Sequence, residues 1–339
     1  MISINNRRYI GSKTKLLENI YNSIPEKYKT KNGVFADVFA GTGVVANYFG
    51  KKGYKIIVND ILFSNIVAYK AFFSREAIDG KKIDSFLNEM NSLPYSKIKN
   101  NYFSNIYGDK YFSVNDAKKI GYIRDTLEER RNLFNDREYY YILCSLLYAT
   151  DRIANTCGHF ESFLSKKPID TNFQLDKLDL RNFDNVQIFN EDANELVSKI
   201  KCDIAYVDPP YNARQYVNFY HVLENLARWE KPTEFEGNSM KFKRNHLKSG
   251  YSRSKAPLLM EDLIMKLKAN VIVVSYNNTY DAKSGASNNK ITEEQLVSIL
   301  EKKGKVSVTE IDYKFFNSGK TDLKNHKEKI YVCEVNVWA

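Results

Sequence analysis

A carboxylate, two prolines and a tyrosine, Asp208-Pro209-Pro210-Tyr211, end the apolar run Ile204–Val207. The run has the length and composition of a strand buried on both faces of a parallel sheet. Each proline lacks an N–H and pushes the residue before it out of the α region, so the chain must leave the sheet in a stiff, extended turn. Such a turn presents a carboxylate, unpartnered backbone carbonyls and an aromatic ring at a strand's carboxyl end, where open α/β sheets take their ligands. Asp and Pro are also ordinary turn residues, and a plain strand exit with a helix-capping Asp has the same sequence.

Neighbouring stretches add acids and a glycine turn. Val34–Phe39 reads as a strand carrying Asp37 and Phe39, followed by Gly41-Thr42-Gly43 and a helix from about Val44. This order lets a ligand approach the backbone closely above a helix N-terminus. The third glycine of a dinucleotide fingerprint is missing, which disfavours NAD. Tyr54–Val58 reads as the next strand and leads to Asn59-Asp60, about 20 residues after the turn, where an acid commonly holds ribose hydroxyls. Val186–Phe189 is a further strand, closed by Asn190-Glu191-Asp192. Asp192 either caps the following helix, which runs to about 199, or accepts a hydrogen bond from an adenine amino group. Near the start, Arg8-Tyr9-Ile10-Gly11-Ser12-Lys13 leads into a helix expected over about 13–24, capped by Ser12 or Gly11. Lys13 at its mouth runs against the helix dipole and is either a solvated lysine or a partner for an anion.

These pieces predict an α/β fold with a mostly parallel sheet. Strand and helix alternate as far as a helix at 64–79, and then the alternation stops. Residues 80–183 read as an inserted, mostly helical subdomain, with helices over 115–135 and 139–153; its many rings read as core before they read as base platforms. His159 is a lone histidine with a hydrogen-bonding or core role. The sheet resumes near 186, and a helix is expected over about 218–230. Residues 231–257 read as a loop, with six basic residues and no acid between 241 and 255. That loop is either solvated or, beside a nucleic-acid site, a grip on phosphates. A helix near 258–268, a strand Val271–Ser275, a helix near 292–303 and strands near 305–313 and 329–337 complete the sheet. The last two have no helix between them and form an antiparallel edge hairpin. The expected division is therefore 1–79 plus 184–339 as one domain and 80–183 as the insertion.

The 339 residues carry a net charge of +10, which favours a polyanionic partner, and 24 tyrosines that could stack on extruded bases. No apolar run approaches the ~20 residues of a bilayer span. The N-terminus lacks the apolar core of a signal peptide, so a cytoplasmic location is expected. Four cysteines without CxxC spacing indicate neither a zinc site nor a disulfide framework.

Taken in order, Arg8-Tyr-Ile-Gly-Ser-Lys13, Asp37-Val-Phe-Ala-Gly-Thr-Gly43, Asn59-Asp60, Asp192 and Asp208-Pro-Pro-Tyr-Asn-Ala-Arg-Gln-Tyr216 resemble the N6-adenine DNA methyltransferases of the D12 class, the Dam-like and type II modification enzymes. Ala154-Asn-Thr-Cys-Gly-His159 and His221-Val-Leu-Glu-Asn look like one subgroup. The resemblance spans about 8–230 and implies a Rossmann-like fold and S-adenosyl-L-methionine (SAM) as methyl donor. It also implies roles. Tyr9 and Lys13 would line the cofactor pocket. Asp37 and the Phe39-to-Gly43 turn would hold the methionine part, Asp60 the ribose and Asp192 the adenine edge. Asp208 and Pro209, with Pro210 and Tyr211, would receive a target adenine flipped out of duplex DNA, and the insertion would recognise the target sequence. The implied setting is a monomeric modification enzyme of a type II restriction-modification system, partnered by an endonuclease encoded nearby; an RNA methyltransferase on the same fold is the alternative. Tyr9 stands where Dam-like members often have tryptophan, and the 241–255 stretch has no counterpart in the resemblance.

Overall fold

The computed structural model describes residues 1–277, 288–312 and 327–336. Its strands are β1 (Val34–Asp37), β2 (Lys55–Asn59), β3 (Val186–Phe189), β4 (Lys201–Val207), β5 (Phe235–Glu236), β6 (Lys241–Phe242), β7 (Lys268–Asn277), β8 (Gly304–Asp312) and β9 (Lys327–Val335). The helices are α1 (Leu17–Ser23), α2 (Val44–Lys51), α3 (Phe63–Phe73), α4 (Gly80–Ser92), α5 (Tyr102–Tyr107), α6 (Val114–Glu129), α7 (Asp136–Ile153), α8 (Ala193–Leu196), α9 (Tyr216–Arg228), α10 (Ala256–Lys266) and α11 (Glu293–Glu301). Among the described residues, no helix is long and apolar enough to cross a membrane.

The chain forms two compact units. The sheet unit comprises Lys13–Ile61, Asn185–Tyr216 and Leu247–Ala339. It holds a seven-stranded sheet in the order β3-β2-β1-β4-β7-β9-β8. The first five strands are parallel, and β9 runs antiparallel to both β7 and β8. The expected edge hairpin is therefore present. Its two partners lie at 304–312 and 327–335, and residues 313 and 337 of the expected strands fall outside the described residues. From β1 the chain moves outwards to β2 and β3, then returns to the other side of β1 to lay down β4 and β7. The order reverses between β1 and β4, which opens a crevice at their carboxyl ends. The buried run in β4 explains its central place: Ile204, Ala205, Tyr206 and Val207 are all buried.

The helical unit comprises Met1–Ser12, Leu62–Asp184 and Val217–His246. It is wider than the predicted 80–183, for reasons visible in its bonds. Ile2 pairs with Leu178, its N–H donating to the Lys177 carbonyl at 2.7 Å, so the N-terminus is stitched into this unit. The helix α3 ends at Phe73, short of the expected 79, and is buried nearly all round, so it has no solvent face to spare. Its first turn has no local cap. The Glu224 carboxylate of α9 supplies one, accepting from the Phe63 and Ser64 N–H groups at 2.9 Å each, where a negative charge suits the helix dipole. Arg124 of α6 in turn donates to the Leu226 and Ala227 carbonyls at the end of α9.

The hairpin β8–β9 begins at Gly304, where an added Cβ would lie 1.9 Å from the Glu334 carbonyl oxygen. Gly304→Ala should therefore destabilise the protein by about 1–3 kcal/mol through forced strand separation. A denaturant midpoint equal to that of the wild type would show that the strands part without strain.

Candidate active site

The glycine turn is built by positive φ. Gly41 has φ 54° and Gly43, the N-cap of α2, has φ 79°, values that side-chain-bearing residues avoid. The Gly43 N–H closes the turn on the Ala40 carbonyl at 2.7 Å, and the Gly41 N–H donates to Asp60 Oδ2 at 2.9 Å. Asp60 thus braces the turn from the end of β2. Asn59 does the same between strands: its Nδ2 donates to the carbonyls of Val38 and Glu191, and its Oδ1 accepts from the Glu191 N–H. This stitching role was hidden in the sequence, where Asn59 is only the residue before an acid.

Asp37 ends β1 and is 1 % exposed. Its Oδ2 accepts from the Ala46 N–H at 3.2 Å, whereas nothing among the described residues donates to Oδ1. Burial first, and then the negative charges of Asp208 and Asp60, hold its carboxyl well above the usual carboxylate range, against the pull of the Ala46 N–H. A buried carboxylate with an orphan oxygen is a costly arrangement that a cationic ligand group would relieve.

Asp192 caps α8, its Oδ1 accepting from the Asn194 N–H at 2.9 Å, so the capping role is present in the structure. Beside it is a residue that sequence reasoning passed over. Tyr251, in the middle of the basic stretch, is buried edge-on against Phe39 with ring centroids 5.2 Å apart. Its hydroxyl donates to Asn194 Oδ1 at 2.8 Å. Phe39, Tyr251 and Asp192 therefore stand together, two rings and an acid suited to a purine.

The turn after β4 is held from several sides. Lys13, 4 % exposed, brings its ammonium to 3.3 Å from Asp208 Oδ1 and 3.7 Å from Glu328 Oε2, and donates to the Tyr211 hydroxyl. That hydroxyl donates to Asp208 Oδ1 at 2.7 Å. A buried ammonium is tolerated only against such partners, which decides the choice left open for Lys13. It is no solvated lysine, and it lies in turns that precede α1; the helix starts at Leu17, later than expected. Burial raises the Asp208 carboxyl to about 6, with Lys13 and the Tyr211 hydroxyl pulling it down and Glu328 pushing it up. Burial likewise keeps the Tyr211 phenol neutral, well above its usual range. The Tyr211 ring is packed inward, edge-on to Tyr276, and its carbonyl accepts from the Lys290 N–H at 2.7 Å. Pro209 is buried and Pro210 half-buried.

Tyr9 is stacked on Tyr220 at 4.6 Å with the Arg7 guanidinium over both rings. One expectation changes. The 241–255 stretch is neither a free loop nor uniformly available to phosphates. Lys241 lies in β6, and Arg244 is buried, bonded to Asn218 Oδ1, the Phe242 carbonyl and Glu236. Further on, the Gln215 side chain both donates to the Ser249 carbonyl and accepts from its N–H, tying this stretch to the chain that follows Tyr211. His159 fulfils its bland role, its Nδ1 accepting from the Glu161 N–H and its ring lying against Phe219.

The family model of the D12 class N6 adenine-specific DNA methyltransferases matches residues 9–278. The chain belongs to this family. It is 38% identical to modification methylase StsI of Streptococcus sanguinis over 330 residues, covering 92% of this chain and 49% of that protein. It is 35% identical to type II methyltransferase M.FokI of Planomicrobium okeanokoites, covering 88% and 47%. With type II methyltransferase M.NlaIII of Neisseria lactamica it shares 31% identity, covering 94% of this chain and 95% of that one. The chain thus spans about half the length of the first two relatives and nearly all of the third.

The buried carboxyl of Asp37 makes a direct prediction within this D12-class site. A raised folded-state pKa means that the protonated acid favours folding below the unfolded-state value near 4, and that this support is lost as pH rises towards the folded-state pKa. Asp37→Asn should therefore stabilise the ligand-free protein at pH 8 by about 0.5–2 kcal/mol, with the gain shrinking as pH falls. Thermal unfolding across pH 5–8 checks it, and a variant less stable than the wild type at pH 8 would refute the assigned cause.

Proposed function

We propose that the chain is a site-specific DNA adenine methyltransferase that moves the methyl group of SAM to N6 of an adenine flipped out of duplex DNA. The observation that carries this reading is Asp208, held by Lys13 and Tyr211 in the crevice between β1 and β4. Family membership supports it. The relatives' names, modification methylases and type II methyltransferases, support a place as the modification half of a type II restriction-modification system. On this reading the enzyme works as a monomer in the cytoplasm beside a separately encoded endonuclease, and the 80–183 segment with its surroundings selects the target sequence.

The residues present fit SAM. The orphan Oδ1 of Asp37 suits the methionine ammonium, the Gly41–Gly43 turn lets the ligand approach the backbone, Asp60 just past the end of β2 would hold the ribose hydroxyls, and Phe39, Tyr251 and Asp192 suit the adenine. When bound, SAM supplies a methyl group on a sulfonium. The protein's task lies with the other reactant. The N6 lone pair of adenine is delocalised into the ring and is a poor nucleophile. Asp208 and the Pro209 carbonyl accept the two N6–H hydrogens, which favours a pyramidal nitrogen and stabilises the positive charge that develops there. A carboxyl held near 6 can take the released proton and pass it to water. The resemblance further implies that the flipped base stacks on Tyr211, and the ring, packed edge-on to Tyr276, would have to turn out to meet it.

Asp208→Ala should lower methyl transfer by at least about 10²–10³-fold while SAM binding, followed by calorimetry, stays largely intact. Since the carboxylate form acts, kcat/KM for SAM in the wild type should fall as pH drops through about 6. Labelled-SAM assays on duplex DNA, single strands and structured RNA test the substrate class; preference for RNA would overturn the DNA reading. Mapping N6-methyladenine in a host expressing the chain gives the target sequence.

A further inference from the structure

Glu328 lies near the start of β9, far from every motif in the sequence. Register places it opposite Asn277, the last residue of β7, and so at the same end of the sheet as Asp208. Its neighbours show that its orientation is specific. Lys327 and Lys329 point to the other face of the strand, where they pair with Glu310 and with Glu293 and Glu310. Glu328 points inward, is 6 % exposed, and brings Oε2 to 3.7 Å from Lys13 Nζ. Among the described residues nothing donates a hydrogen bond to that oxygen. A carboxylate in this position is a poor structural element, because its near cation among the described residues already faces Asp208 at 3.3 Å.

We propose that Glu328 is a positioning residue of the methyl-transfer site, sharing the Lys13 ammonium with Asp208 so that Lys13 orders Asp208 without quenching it as an acceptor. This rests on the reading of Asp208 as the group that receives the adenine amino hydrogens. Both contacts from Lys13 and Tyr211 fall on Oδ1 of Asp208. An ammonium wholly committed to Asp208 would make it a weaker base and a weaker partner for N6. The carboxylate of Glu328 draws the ammonium back. The other groups that bear on Asp208 are the Tyr211 and Tyr206 phenols, both kept neutral by burial, and Asp37 at the end of β1. Among the described residues, Glu328 is the second carboxylate that pairs with the Lys13 ammonium, and it pushes the Asp208 carboxyl up, as this sharing requires.

Glu328→Gln keeps the shape and removes the charge. Asp208 should then titrate lower, moving the acidic limb of kcat/KM for SAM down by about one pH unit. On the alkaline plateau kcat should fall about tenfold with KM for SAM changed less than about threefold. A purely structural role predicts an unmoved limb, and that result in a folded variant would overturn the proposal. Should Glu328→Gln not fold, Glu328→Asp carries the test: its shorter side chain withdraws from Lys13, so the limb moves the same way by less, and an unmoved limb refutes it. The Cγ resonance of Asp208 in protein labelled with 13C-aspartate, assigned by its loss in Asp208→Asn, reads the same titration without catalysis. If the wild type transfers no labelled methyl to DNA, the functional reading fails, and the Cγ titration still decides whether Glu328 shares Lys13.

Discussion

Among the described residues, four carboxylates that are buried or nearly so crowd one end of the sheet, with one ammonium reaching them. Asp37, Asp60, Asp208 and Glu328 all lie in the sheet unit, and Lys13 is the ammonium that reaches two of them. Carboxylates so placed repel one another and are poorly hydrated; burial first, and then neighbouring negative charge, push the Asp37 and Asp208 carboxyls up. A fold tolerates such a conflict where a ligand resolves it, and SAM, with its ammonium and sulfonium, has the charge to do so. On the reading proposed above, the free energy that this crowding costs would be returned when a cation-bearing nucleoside binds.

The backbone around the conflict is tied down by hydrogen bonds from several sides. The glycine turn is fixed by Asp60, the strand ends by Asn59, and the chain after Tyr211 by Gln215 and the Lys290 N–H. Each clamp uses a backbone N–H or C=O outside the sheet ladder, so groups that would otherwise be orphaned help hold the carboxylates in place. Positioning of this kind is the part of catalysis a protein can prepare before its substrate arrives.

Much of this was legible in the sequence because the informative signals are local. An apolar run followed by an acid, a glycine pair with the right spacing and a double proline each dictate their own geometry, and strands β1, β2, β3 and β4 lie where the runs place them. The residues that escaped are those whose meaning is set by distant partners. Glu328 sits in Lys-Glu-Lys and reads as an edge-strand charge until register brings it to Lys13. Tyr251 and Arg244 sit in a basic stretch and read as solvent-facing, but burial makes one a wall beside Phe39 and the other an internal tie to Asn218. The helix α3 reads as a crossover like any other, and only its lack of a polar face, with a cap lent by Glu224, assigns it to the helical unit.

The place of β9 in the sheet has a further consequence. Strand β7 is buried along nearly its whole length, from Val271 to Asn277 without a break, and on one side its ladder is closed by β9 alone. A chain synthesised only as far as β7 already contains every motif residue, yet leaves that long apolar strand with a row of unpaired N–H and C=O groups, the kind of edge that templates aggregation. Pairing with β9 removes this edge, so a hairpin that carries none of the motifs protects the strand beside them.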